Sequence, residues 1–133
     1  MAQFLKLVSK QGTPLQGWSK DPDWTGWIPV AAYSFGNNRA TYSNSASAHP
    51  GVSKEVSLTV KLEDLDSASL YQWAVSGTVG TATLNNVPDA VGKGGQSWIF
   101  SDALISSVQH GGSFIVFSIN FSEMEFRYLL RFR

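Results

Sequence analysis

The residues able to do acid–base or metal chemistry are few and scattered. His49 sits in a polar loop and His110 at a hairpin turn, neither with a second imidazole at ligand spacing, so both read as solvated loop residues. Glu63, Asp64 and Asp66 cluster just ahead of a short helix, where carboxylates favour the positive end of its dipole and can cap it; they lack the loop spacing of an EF-hand. Val91-Gly92-Lys93-Gly94-Gly95 sets a lysine among glycines. A phosphate-binding loop needs a following Ser or Thr and a helix, whereas here Gln96 and a strand follow, so the segment reads as a loop. Serines are plentiful but form no G-x-S-x-G elbow and no Ser/His/Asp grouping. Asn120-Phe121-Ser122 matches a glycosylation acceptor in form, yet the asparagine ends a predicted core strand. No catalytic, cofactor-binding or metal-binding residue is predicted, and the chain is not read as an enzyme.

Aromatic chemistry is richer. The stretch GWSKDPDWTGW places Trp18, Trp24 and Trp27 in one loop beside Lys20, Asp21 and Asp23. Three indoles so close are either anchors on the core or a contact surface, and the second option includes a stacking platform for sugar rings.

The elements that would position these residues are strands. Trp98 to Phe121 reads as one long hairpin broken at His110-Gly111-Gly112. In its second arm Ile115, Phe117, Ile119 and Phe121 share one face, which must be buried. The first arm carries Trp98, Phe100, Leu104 and Val108 on one side but Ile99, Ala103 and Ile105 on the other. Apolar on both faces, it belongs inside a barrel or sandwich or against another subunit. Phe4–Val8 is a short first strand, and Trp27–Phe35 a strand with Ile28, Val30, Ala32 and Ser34 on one face and Ala31, Tyr33 and Phe35 on the other. Pro29 lacks an N–H and argues for an edge or bulge there.

Residues 36–51 form an Asn/Ser/Ala-rich loop, and Val56, Leu58, Val60 and Leu62 alternate as a strand with one wet face. A short helix follows, capped by Asp66 or Ser67, with Leu70, Trp73 and Ala74 on its apolar stripe and Gly77 at its end. Thr78–Leu84 is a further strand. In the closing strand, Met124, Phe126, Tyr128, Leu130 and Phe132 alternate with Glu125, Arg127, Leu129 and Arg131. About seven strands with one helix predict a mainly β fold, an antiparallel β-barrel or sandwich whose helix covers one side.

Composition sets the bounds. A chain of 133 residues, 43% hydrophobic and 15% charged, suits one domain spanning 1–133 with a single core. Ten basic and ten acidic side chains cancel, which removes the field that would draw a nucleic acid or an anionic membrane. There is no cysteine, hence no disulfide or zinc-thiolate site. The N-terminus MAQFLKLVSKQG lacks the pattern of a secretory signal, and no apolar run approaches the ~20 residues that span a bilayer. Membrane insertion is not expected, and export would need no cleaved signal.

Taken in order, FLKL before a Gly-rich turn, GWIPVAAYSFG, VSLTVKLEDL leading into a helix ending in SG, TATL, DALISSVQHGG and SINFSEMEFRY resemble the Hcp family, the haemolysin-coregulated tube proteins of bacterial type VI secretion systems. The resemblance implies a β-barrel of two packed sheets with a flanking helix. Six copies would close into a homohexameric ring, and rings would stack into an inner tube carrying small effector proteins, in company with spike and sheath proteins. The tube would form in the bacterial cytoplasm and be secreted. Catalysis is not implied. The short loop after DALISSVQHGG and the absence of the usual tail depart from the family pattern and imply weaker or absent stacking, while loop 36–51 matches the arm that reaches the next ring. Candidate subunit contacts are Trp24, Trp27, Tyr42 and Trp98. The competing reading is a monomeric carbohydrate- or ligand-binding module built on the loop tryptophans.

Overall fold

The computed structural model describes residues 2–36, 54–87 and 94–130. Among these residues eight strands, β1 (Ala2–Ser9), β2 (Ile28–Val30), β3 (Ala32–Gly36), β4 (Glu55–Lys61), β5 (Val79–Val87), β6 (Gly94–Gly111), β7 (Phe114–Asn120) and β8 (Glu123–Leu130), make one antiparallel sheet, with one α-helix, α1 (Ser67–Ser76). The strand path is β2-β1-β5-β6-β7-β4-β3, and β8 joins beside β6.

The long strand β6 organises the sheet. Its first half lies between β5 and β8, and its second half pairs with β7. It carries an extra residue at two places. Ala82 faces Phe100 but Gly80 faces Ala103, and Ile105 faces Ile119 but Ser107 faces Ser118. Each bulge flips which alternate side chains point inward. Trp98 and Phe100 therefore share the core face with Ala103 and Ile105 beyond the first bulge, and with Val108 beyond the second. The expected membership of the two faces is corrected: the bulges bring Ala103, Ile105 and Val108 onto the core face with Trp98 and Phe100, and leave the half-buried Ile99 and Leu104 on the other. Asp102 lies at the first bulge with φ 53.

A further parity change occurs at Ala31, between β2 and β3. Ile28 and Val30 are buried, and after Ala31 it is Tyr33 and Phe35 that turn inward against the core, not Ala32 and Ser34 as the uninterrupted alternation predicted. The Ala31 N–H donates to the Thr59 carbonyl, 2.8 Å, as the chain leaves β1 for β4. β2 and β3 are thus the two ends of the strand path although adjacent in sequence. No ladder joins them among the described residues, so the expected mainly β antiparallel fold with one helix is found as a sheet that is not closed by hydrogen bonds.

The remaining elements follow local chemistry. Asp66 caps α1 by accepting from the Ser69 N–H, and Gly77 ends it in the left-handed region, φ 69, its N–H donating to the Trp73 carbonyl. Leu70 and Trp73 are the buried stripe, as the spacing predicts. The hairpin between β6 and β7 turns over Gly112-Ser113 with Gly112 at φ 62, which a residue bearing Cβ resists. Phe100, Phe117, Leu5, Leu84, Leu58 and Ile119 are among the fully buried side chains and define one core under the sheet.

Candidate functional site

The core face of the sheet does not end where the core ends. Register across the strands sets Leu5 beside Leu84, Leu84 beside Trp98, and Trp98 beside Phe126. The next row runs Leu7, Ala82, Phe100 and Met124. Opposite residues in an antiparallel ladder share a face, so Met124, Phe126 and Tyr128 of β8 continue the same apolar surface that Leu5 and Leu84 bury. They are nevertheless 48%, 45% and 81% exposed. Among the described residues nothing covers this side of β8.

Aromatic rings line this surface without a break. Trp98 lies 5.6 Å from Tyr33, 5.4 Å from Phe35 and 5.8 Å from Phe126, and Tyr128 stands edge-on to Phe126 at 5.3 Å. Beside it a cleft of about 600 Å³ is bounded by Phe35, Phe121 and Met124 at its apolar side and by Lys54, Glu55 and Glu123 at its rim.

The candidate contact residues do not form one surface. Trp98 belongs to the aromatic row. Trp24 stacks on Phe4, 5.2 Å and 7° between planes, and Trp27 meets Trp24 edge-on at 4.9 Å beneath the Lys6 ammonium. Phe4 alternates with Leu5 along β1, so Trp24 and Trp27 occupy the opposite face of the sheet from Trp98. Both are half-buried anchors, and of the loop tryptophans only Trp18, 50% exposed, stands open. Tyr42 lies outside the described residues.

The polar candidates are placed as follows. His110 lies 3.4 Å from the Tyr71 hydroxyl at the hairpin end, while His49 and Lys93 fall outside the described residues. Asp66 is spent on capping α1. Burial, with Glu63 adding to it, raises the Asp64 pKa. No cluster able to hold a metal ion occurs among the described residues. One polar site escaped the sequence reading. Asp102 accepts from the Ser122 hydroxyl at 2.8 Å and pairs with Lys10 at 3.2 Å, and these partners hold its carboxyl below the usual carboxylate range. Sequence offered no signal for it, since the three residues meet only because the bulge turns Asp102 outward at the β7–β8 corner.

The described residues thus form an antiparallel β-protein with one helix and an apolar face left open on its edge strand, a surface suited to packing. The family described as "Type VI secretion system effector, Hcp" matches residues 4–128. The chain belongs to the Hcp family, whose members are type VI secretion tube proteins, structural rather than enzymatic, that self-assemble into tubes. Solved structures show the same fold. Hcp2 from Salmonella typhimurium aligns with a TM-score of 0.70 at 22% identity, over 95% of this chain and 84% of that one. An Hcp1 protein from E. coli aligns at 0.78 and 14% identity, covering 96% and 91%. A type VI secretion system effector from Yersinia pestis aligns at 0.68 and 16% identity, covering 96% and 98%. Comparison with curated proteins finds no match.

Proposed function

We propose that the chain is a ring-forming subunit of a type VI secretion inner tube, six copies closing on the rolled, barrel-like sheet and stacked rings carrying effector proteins in the lumen. The observation that carries this reading is the open apolar face of β8. Leaving Met124, Phe126 and Tyr128 in water forgoes roughly 25 cal/mol for each Å² that a neighbour would cover. A head-to-tail contact that buries this face against a different surface of the next copy closes into a ring when its rotation permits. Trp98 supports the face from beneath, and Trp24 and Trp27 are assigned to contacts on the other side of the sheet. Spike, sheath and effector proteins are the partners, and the tube is secreted from the bacterial cytoplasm. The lectin-type reading loses its main support, because Trp24 and Trp27 are engaged with Phe4 and with each other.

Negative-stain imaging of the native chain and of Tyr128→Asp tests the proposal. The substitution sits where 81% of the residue is exposed, so the single chain keeps its fold. Annular particles are expected from the native protein and few or none from the variant, with unchanged circular dichroism. Rings of normal number and size from Tyr128→Asp would show that β8 is not the covered face. Trp98→Ala and Trp27→Ala are expected to lower the ring fraction as well, and undiminished rings from both would remove these tryptophans from the interface.

A further inference from the structure

β8 hydrogen-bonds to β6 along one side, and among the described residues no strand lies along the other. A free edge of this kind is a template for another strand. Its side chains alternate, with Met124, Phe126 and Tyr128 on the core face and Glu123, Glu125 and Arg127 on the outer face. Charges at intervals along an edge ordinarily repel a second strand. Here their order matters. In an antiparallel pairing of β8 with another β8, residues of the same face stand opposite each other. Centring the pair on Glu125 sets that carboxylate against its own copy, and centring it on Arg127 opposes two guanidiniums. Centring it on Met124 opposes Glu123 and Glu125 twice.

The register centred on Phe126 contains none of these clashes. It sets each Glu125 opposite Arg127 of the second copy and each Met124 opposite Tyr128 of the second copy, with Phe126 against its own copy on the axis. Glu125 and Arg127 already pair along their own strand at 2.7 Å, so the dyad would gather two carboxylates and two guanidiniums in alternation. On the apolar face the row Leu84, Trp98, Phe126 would run unbroken into its mirror sequence.

We propose that β8 pairs with β8 of a second copy of this chain, antiparallel and centred on Phe126, giving a closed dimer that withholds this edge from ring assembly. An isologous pair is completed by its own axis and cannot extend. The pairing stands independently of the ring reading, and only its role as a reserve form rests on that reading.

The native sequence has no cysteine, so Phe126→Cys introduces a single thiol. Opposed residues of an antiparallel pair have Cα atoms about 4.5–5.5 Å apart, within disulfide reach. Mild oxidation is expected to give a covalent dimer, whereas a head-to-tail ring keeps position 126 away from its own copy. Charge exchange is the second arm, read by light scattering across a dilution series of the full chain. Glu125→Arg and Arg127→Glu are each expected to weaken dimerisation about tenfold or more, each placing like charges at both symmetric positions. Mixing the two variants is expected to restore a two-chain species, and so is the double variant Glu125→Arg/Arg127→Glu alone. No cross-link from Phe126→Cys, or single variants that dimerise as the native chain does, would overturn the pairing. A native chain that shows rings but no two-chain species at any concentration would also overturn it, even with the tube reading intact.

Discussion

At the scale of single residues, Asp102 is the most constrained position. With φ 53 it lies in the left-handed region, which asparagine and glycine enter readily and β-branched residues resist. Asp102→Val is expected to lower the urea midpoint of unfolding, while Asp102→Gly, which relieves the backbone but removes the carboxyl, should change it less. Equal losses from both would mean that the side-chain contacts, not the backbone, decide the position. The Ser122 hydroxyl and then Lys10 lower the Asp102 pKa. The folded value thus lies below the unfolded one, so the carboxylate's contribution is present above about pH 4 and fades as pH falls through the folded pKa. Asp64 has the opposite sign. Burial raises its pKa, so the folded chain holds that proton more tightly, and ionising it as pH rises works against the fold. Ser122→Ala is expected to move the Asp102 titration upward in an NMR pH series, and an unmoved carboxyl would contradict the assigned cause.

At the scale of elements, the close approach of β5 to β1 rests on Gly80, where a Cβ would run into the Val8 carbonyl. Gly80→Ala is expected to cost about 1–3 kcal/mol through overpacking, measured by thermal or urea unfolding, and a neutral result would mean that β1 can yield. The helix, its Asp66 cap and its Leu70 and Trp73 stripe were legible from spacing alone, because capping and 3.6-residue periodicity are local. So were β4 and β7, whose alternation is uninterrupted. β6 and the β2–β3 segment misled for one physical reason: an extra residue at a bulge or corner inverts the inside–outside period, and single-strand alternation carries no mark of where that happens. The open apolar face of β8 was present in the sequence as alternation, but coverage is a property of neighbours. No pattern within Met124–Tyr128 says whether the partner comes from the same chain.

At the scale of the whole molecule, the fold separates its aromatic residues into two groups with different tasks. Trp24 and Trp27 brace the outer face over Phe4, and Trp98 extends the core toward an edge that the described residues leave uncovered. Members of this family self-assemble into tubes, and in the proposed assembly this surface is where copies meet. The most direct measurement is the solution mass of the purified chain by light scattering on a sizing column, across a concentration series and paired with imaging. The account predicts, at the upper concentrations, a species near six times the 14.5 kDa chain mass with annular particles. A mass that never rises beyond one or two chains at any concentration would contradict the assembly of rings.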